Sequence, residues 1–349
     1  VTELDEVTHL EPKPWWRRLL EVTVSLAVIG VMFAFVLPRV TGSDYAEVRE
    51  RLRELSLADV AALGAVWFGG LCLYAMVSST ALPGLRPNQA LVVTSAGSAV
   101  SNTVPFGGAL GVAATYAICL SWGHPVAAVT LMILVTGVWN VFIKLGLPLL
   151  ALVLLVIAGE ATGSLALAAL VGAVVLAAAF GALTMVLRSE SAADRLGALA
   201  ERIGARVAAV VRRPAPQWRD AVLAFRHQSI GLVRSSWVRL TLFDASYYAS
   251  QFVLMLLCLR FLGSDVGWVG VFAAFTFGRL LSMIPLTPAG LGFVEAGAAS
   301  ALVAFGADAS TATAAVLLFA GFVFVAELPL GAIGWLVWGT KQSWRRAPT

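Results

Sequence analysis

Residues 126–158 read VAAVTLMILVTGVWNVFIKLGLPLLALVLLVIA, an apolar run interrupted by a single charge, Lys144. A helix over this run exceeds the ~30 Å thickness of bilayer hydrocarbon at about 1.5 Å per residue. The rest of the chain agrees: 59% of its 349 residues are hydrophobic, 13% are charged, and mean hydropathy is +0.87. A soluble domain carries about a quarter charged residues. Short alternating segments of the kind that build spanning β-barrels are absent. The chain is expected to be an all-α integral membrane protein.

Outward from that run, six spans are expected, at 20–38, 60–82, 126–158, 165–187, 240–262 and 311–338. Two further apolar regions, 89–120 and 269–305, are interrupted by Pro and Gly in their middles. The third and sixth spans are too long for one straight crossing and carry Pro148 and Pro329. Each is read as a kinked helix, with a split into two short helices as the alternative. Residues 44–57 and 189–211 set apolar side chains on one helical face, as helices lying in the membrane interface do. Solvated connectors are the competing reading.

Ten arginines fall between Arg188 and Arg239 with few acids among them, which directs a basic loop over 188–239 to the cytoplasm. Arg17 and Arg18 put an N-terminal tail (1–19) on that side, and Lys341, Arg345 and Arg346 do the same for 339–349. The first residues are polar and of mixed charge, unlike a signal peptide. A single membrane domain over 20–338 follows, in the cell membrane with both termini cytoplasmic. The net charge of +4 is read as headgroup contact, not as a nucleic-acid footprint. Cys72, Cys119 and Cys258 lie in apolar segments as small buried hydrophobes.

The two interrupted regions match each other. Ser101-Asn-Thr-Val-Pro-Phe-Gly-Gly-Ala-Leu-Gly111 aligns without a gap onto Ser282-Met-Ile-Pro-Leu-Thr-Pro-Ala-Gly-Leu-Gly292. At the same offset Gly97 meets Gly278, and Leu147-Pro148-Leu149 meets Leu328-Pro329-Leu330. Each copy (60–158 and 240–338) is thus a span, a broken hairpin and a long Pro-containing span. Given the topology, the first hairpin enters from the cytoplasm and the second from outside. That is an inverted-topology repeat, whose broken hairpins meet around a central site. Irregular backbone at that depth is tolerated where it lines a cavity or packs inside protein. Asn102, Pro105, Gly107, Gly108 and Gly111 are the expected walls from one copy, and Pro285, Pro288, Gly290 and Gly292 from the other. Ordinary turns at the membrane surface remain the alternative.

Four charges stand where charge is expensive: Lys144, Arg279, Glu295 and Glu327. Glu295 falls in the first turn after Gly292, where the helix dipole favours an anion, so a structural role competes with a cavity role. Arg279 is its expected partner, or else holds a lipid phosphate with its guanidinium fork. Glu327 is expected to neutralise Lys144. Trp139 and Asn140 are candidates for the same cavity or for packing, and Tyr247 and Tyr248 are read as interfacial anchors. His9, His124 and His227 are scattered, and no phosphate-cradling loop or serine elbow is present. Neither metal, cofactor nor enzymatic activity is expected.

Pro285-Leu-Thr-Pro-Ala-Gly-Leu-Gly-Phe-Val-Glu295 resembles the Pro-x-x-Pro-Gly-Gly-x-Gly-x-x-Glu signature of the lysylphosphatidylglycerol synthase transmembrane (flippase-like) family. Asn102-Thr-Val-Pro-Phe-Gly-Gly-Ala-Leu-Gly111 is similar to that family's first conserved stretch. The resemblance covers about 20–338 and implies movement of lipids or lipid-linked molecules between leaflets. In the aminoacyl-lipid synthases this membrane part precedes a soluble transferase domain; none is expected here, so the synthase activity is not carried over. Ala289 replaces the usual Gly. Val112, Ala113, Ala114 and Thr115 stand where many members carry an acid and an arginine, which implies a different headgroup.

The leading expectation is a flippase or transporter whose cavity takes a phospholipid or lipid-linked molecule, with Arg279 and Glu295 handling an anionic or lipid-phosphate headgroup. One alternative is an integral membrane transferase on lipid-linked sugars, using acids among Asp44, Glu47, Glu50, Glu54 and Asp59. The other is a non-transporting scaffold for a partner enzyme of lipid or cell-envelope synthesis.

Overall fold

The computed structural model describes residues 31–103, 107–159, 188–210, 218–283 and 291–341, with Trp344 and scattered positions between 174 and 186. All regular structure among them is helical. A π-helical turn, Met32–Val36, leads into α1 (Leu37–Thr41), followed by α2 (Tyr45–Arg53), α3 (Leu57–Ala81), α4 (Pro87–Thr103), α5 (Gly107–Ser121) and α6 (Val126–Ile157). Then come α7 (Glu190–Val210), α8 (Trp218–Phe261), α9 (Trp268–Leu281), α10 (Phe293–Ala304) and α11 (Ala309–Ala320). A second π turn, Gly321–Val325, precedes α12 (Glu327–Thr340).

Among the described residues four stretches are long and apolar enough to cross a membrane: Leu57–Ala81, Val126–Ile157, Arg234–Phe261 and Ala309–Thr340. They are the second, third, fifth and sixth spans expected. Most of 165–187 and the first part of 20–38 lie outside the described residues. Exposed Ile157, Leu242 and Leu336 give the outer surface an apolar character suited to lipid.

Local chemistry explains where the helices start and stop. The Ser56 hydroxyl accepts the Asp59 N–H at 3.1 Å, and Asp59 accepts the Ser56 N–H at 2.9 Å, a reciprocal cap that opens α3. Pro83 follows its end, and Pro87 occupies the first position of α4, where a missing N–H costs nothing. Pro148 sits inside an unbroken α6, so that span does not split into two helices. In the last span the wide π turn ends at Val325, and α12 begins at Glu327 with Pro329 in its first turn. The expected basic loop is helical from Trp218, and α8 continues without a break into the fifth span. Its 44 residues extend to about 66 Å, twice the hydrocarbon thickness. The arginine-bearing half therefore stands outside the span. The amphipathic α2 turns Tyr45, Val48 and Leu52 onto the protein's own core, with Leu55 just past its end packed beside them, where an interfacial helix would face lipid.

The two copies, α3–α6 and α8–α12, pack as a pair. Leu63 near the start of α3 shares a buried cluster with Leu259 and Leu262 near the end of α8, while Ala81 at the end of α3 clusters with Leu240. Equivalent helices α3 and α8 thus run antiparallel, the arrangement that an inverted repeat requires. Each long Pro-containing helix packs on the other copy's hairpin: α12 on α4, and α6 on α9. At the first of these crossings, a Cβ on Gly331 would lie 2.1 Å from the Ala99 Cβ and 2.7 Å from the Ser95 carbonyl. Only glycine permits so close an approach.

Candidate functional site

Between the copies lies a cavity of about 520 Å³. The hairpin helices α4 and α5 supply Ser98, Asn102, Gly108 and Gly111, and α6 supplies Asn140 and Lys144. Tyr74 comes from α3, Tyr247 and Tyr248 from α8, Arg279 from α9, and Glu327 from the start of α12. Both copies therefore contribute, and the lining mixes hydroxyls, amides and charges with apolar groups.

The polar side chains hold one another in place. Asn102 donates its amide to Glu327 at 3.1 Å, and Glu327 is 6% exposed. Asn140 donates to the Tyr248 hydroxyl at 2.8 Å. The Tyr74 and Tyr247 rings lie 4.8 Å apart, with Tyr248 5.2 Å from Tyr247. The Arg279 guanidinium lies 5.4 Å from the Phe275 ring centre and 5.3 Å from that of Phe319, a cation–π seat on two rings. Its Nε has no hydrogen-bond partner. Lys144 is half-buried and lines the same cavity as Arg279.

Of the expected site residues, Asn102, Gly108, Gly111, Lys144, Arg279 and Glu327 come together in this cavity. Gly107 lies beside it, packed so tightly on the Ser101 backbone that a Cβ would collide. Pro105, Pro285, Pro288 and Gly290 fall outside the described residues. Glu295 and Gly292 are placed differently. The Glu295 carboxylate accepts the Gly292 N–H, the half of a capping box available to a glycine cap, and Glu295 is 3% exposed. Glu295 lines a separate small pocket with Arg279, Phe275 and Phe319. The expected Arg279–Glu295 ion pair does not form there; aromatic rings take its place. Gly292 adopts φ +84°, and a Cβ would meet the Met32 side chain at 2.3 Å.

Glu327 does not neutralise Lys144; it is held by Asn102. The acid on the neighbouring α8, which the Asn140–Tyr248 hydrogen bond ties to α6 one turn from Lys144, is Asp244. Sequence reasoning missed Asp244 and read Tyr247 and Tyr248 as interfacial anchors, although Tyr248 is 3% exposed. The available signal was Asp244, Tyr247, Tyr248 and Gln251 on one helical face inside an apolar span. Asn140 lines the cavity, whereas Trp139 donates its indole N–H to Thr241 at 3.0 Å.

The family model described as the lysylphosphatidylglycerol synthase TM region matches residues 22–331. No curated protein matches the chain.

Proposed function

This chain belongs to the family of the lysylphosphatidylglycerol synthase TM region, and from that premise we propose that it moves a phospholipid or lipid-linked molecule between leaflets, without enzymatic turnover. The headgroup occupies the central cavity, and Lys144 with Arg279 receives its phosphate. The observation that supports this most is the cavity itself, which holds Lys144, from the middle of a candidate span, together with Arg279 and is built from both copies. Charge is kept at such depth where it serves a substrate or ion path. Arg279 lines the cavity, and its guanidinium suits a phosphate oxygen pair. The flanking aromatic and apolar walls suit the first carbons of a lipid. The protein resides in the cell membrane with both termini cytoplasmic, its partners being anionic lipids.

The test is leaflet exchange in liposomes containing the purified protein, with labelled phospholipids and polyprenyl-phosphate lipids as probes. Exchange is expected for at least one anionic class, with a loss of tenfold or more in Lys144→Ala and Arg279→Ala. Undiminished exchange in both variants would remove these cations from the mechanism.

A further inference from the structure

Three carboxylates are buried in the described core, and two of them are held. Glu327 accepts from Asn102 and Glu295 accepts from the Gly292 N–H. Asp244 has neither. It is 1% exposed, and both of its oxygens lack a hydrogen-bond partner. A bare carboxylate at this depth is costly and is relieved in one of two ways, by a nearby cation or by a proton.

The cation is Lys144 on α6, a helix that the Asn140–Tyr248 hydrogen bond ties to α8 one turn from Asp244; Lys144 also faces the cavity, as Arg279 does. A lipid phosphate seated between Lys144 and Arg279 would compete with Asp244 for the same ammonium. The other groups around the pair do not resolve that competition. Tyr74 from α3 and Tyr247 and Tyr248 on α8 keep their protons at neutral pH. Arg279 from α9 stays charged, and Glu327 from α12 already has its donor.

We propose that Asp244 is a proton-binding site linked to the headgroup site, so that one proton travels with each singly charged lipid phosphate. The proton joins a carboxylate oxygen as the phosphate takes Lys144, and leaves as the phosphate leaves. No lipid bond is made or broken. Linkage is reciprocal, so protonation also strengthens phosphate binding. The inference rests on the transport reading above and adds its energy source.

The experiment seals the full-length protein into liposomes, clamps the membrane potential at zero, and imposes a gradient of one pH unit. The probe is a fluorescent phosphatidylglycerol, and the readout is its final leaflet ratio, which transport rate does not alter. One-to-one coupling gives a ratio of ~tenfold favouring the alkaline side. In Asp244→Asn the ratio collapses to about one; a variant that kept the gradient-driven ratio would overturn the assignment. A pH-sensitive dye inside the vesicles tests the wild type alone, because an imposed lipid gradient should move protons. Wild-type exchange with equal leaflets and a silent dye overturns the proton inference and leaves transport standing. No exchange by folded protein overturns both.

Discussion

Asn102 and Glu327 lie 225 positions apart and meet at 3.1 Å, one at the end of the first hairpin's leading helix, the other at the head of the last helix. The contact ties the two copies together at the cavity wall. Asn102→Ala strips the buried Glu327 carboxylate of that donor, and a buried group so exposed costs roughly 1–3 kcal/mol. Denaturation in detergent should show that loss. The loss should shrink when Glu327→Gln is combined with it, since an uncharged amide is cheaper to leave unpaired. Additive losses would show that the pair is uncoupled.

The crossing of α4 and α12 depends on the absence of side chains. Gly331→Ala drives a methyl into Ala99 and Ser95, and overpacking of this kind costs about 1–3 kcal/mol. Gly339 in the same helix has nothing within 4 Å of its would-be Cβ. Gly339→Ala should be neutral or stabilising by up to ~1 kcal/mol through helix propensity. Paired melting curves of the two variants separate close packing from a general intolerance of substitution.

Glu295 is tied to the backbone of its own helix. Glu295→Gln keeps an acceptor for the Gly292 N–H and should preserve both stability and lipid exchange. Glu295→Ala should cost on the order of 1 kcal/mol, in line with other lost caps. Abolished exchange in a folded Glu295→Gln protein would return this residue to the headgroup site.

Asp308 caps α11 by accepting the Thr311 N–H at 2.9 Å and its hydroxyl at 3.0 Å. The backbone hydrogen bond foremost, with lesser help from the Thr311 hydroxyl and Arg51, holds its carboxyl below the ordinary value. A depressed carboxylate contributes stability that is present above its unfolded pKa and lost as pH falls through the folded one. Asp308→Ala should therefore cost about 0.5–2 kcal/mol at pH 7. The gap from wild type should narrow below about pH 4, as the cap itself protonates. Midpoints of unfolding at the two pH values check this.

The spans were legible because hydrophobicity at bilayer length admits few readings, and the inverted copies because Ser101 and Ser282, Gly97 and Gly278, and Pro148 and Pro329 share one offset. The partners across the cavity were not legible. Matching the copies suggested Lys144 with Glu327, but each long helix packs on the other copy's hairpin, which hands Glu327 to Asn102. Nor does a polar helical face announce whether it meets headgroups or a cavity. Asp244, Tyr247 and Tyr248 follow the same spacing in either case, and only the helices packed around α8 decide. The ring seat of Arg279 needed Phe319 from α11, 40 positions away.

The widened turn at Gly321–Val325 sets the angular phase of everything beyond it. Each residue of a helix advances it by about 100°. Deleting one position there would swing Glu327 a quarter-turn or more off the Asn102 side and turn Gly331 away from Ala99. The wide turn acts as a clutch between the two halves of the last span: the lower half, seated among its neighbours, keeps its grip while the upper half is dialled to meet the opposite copy.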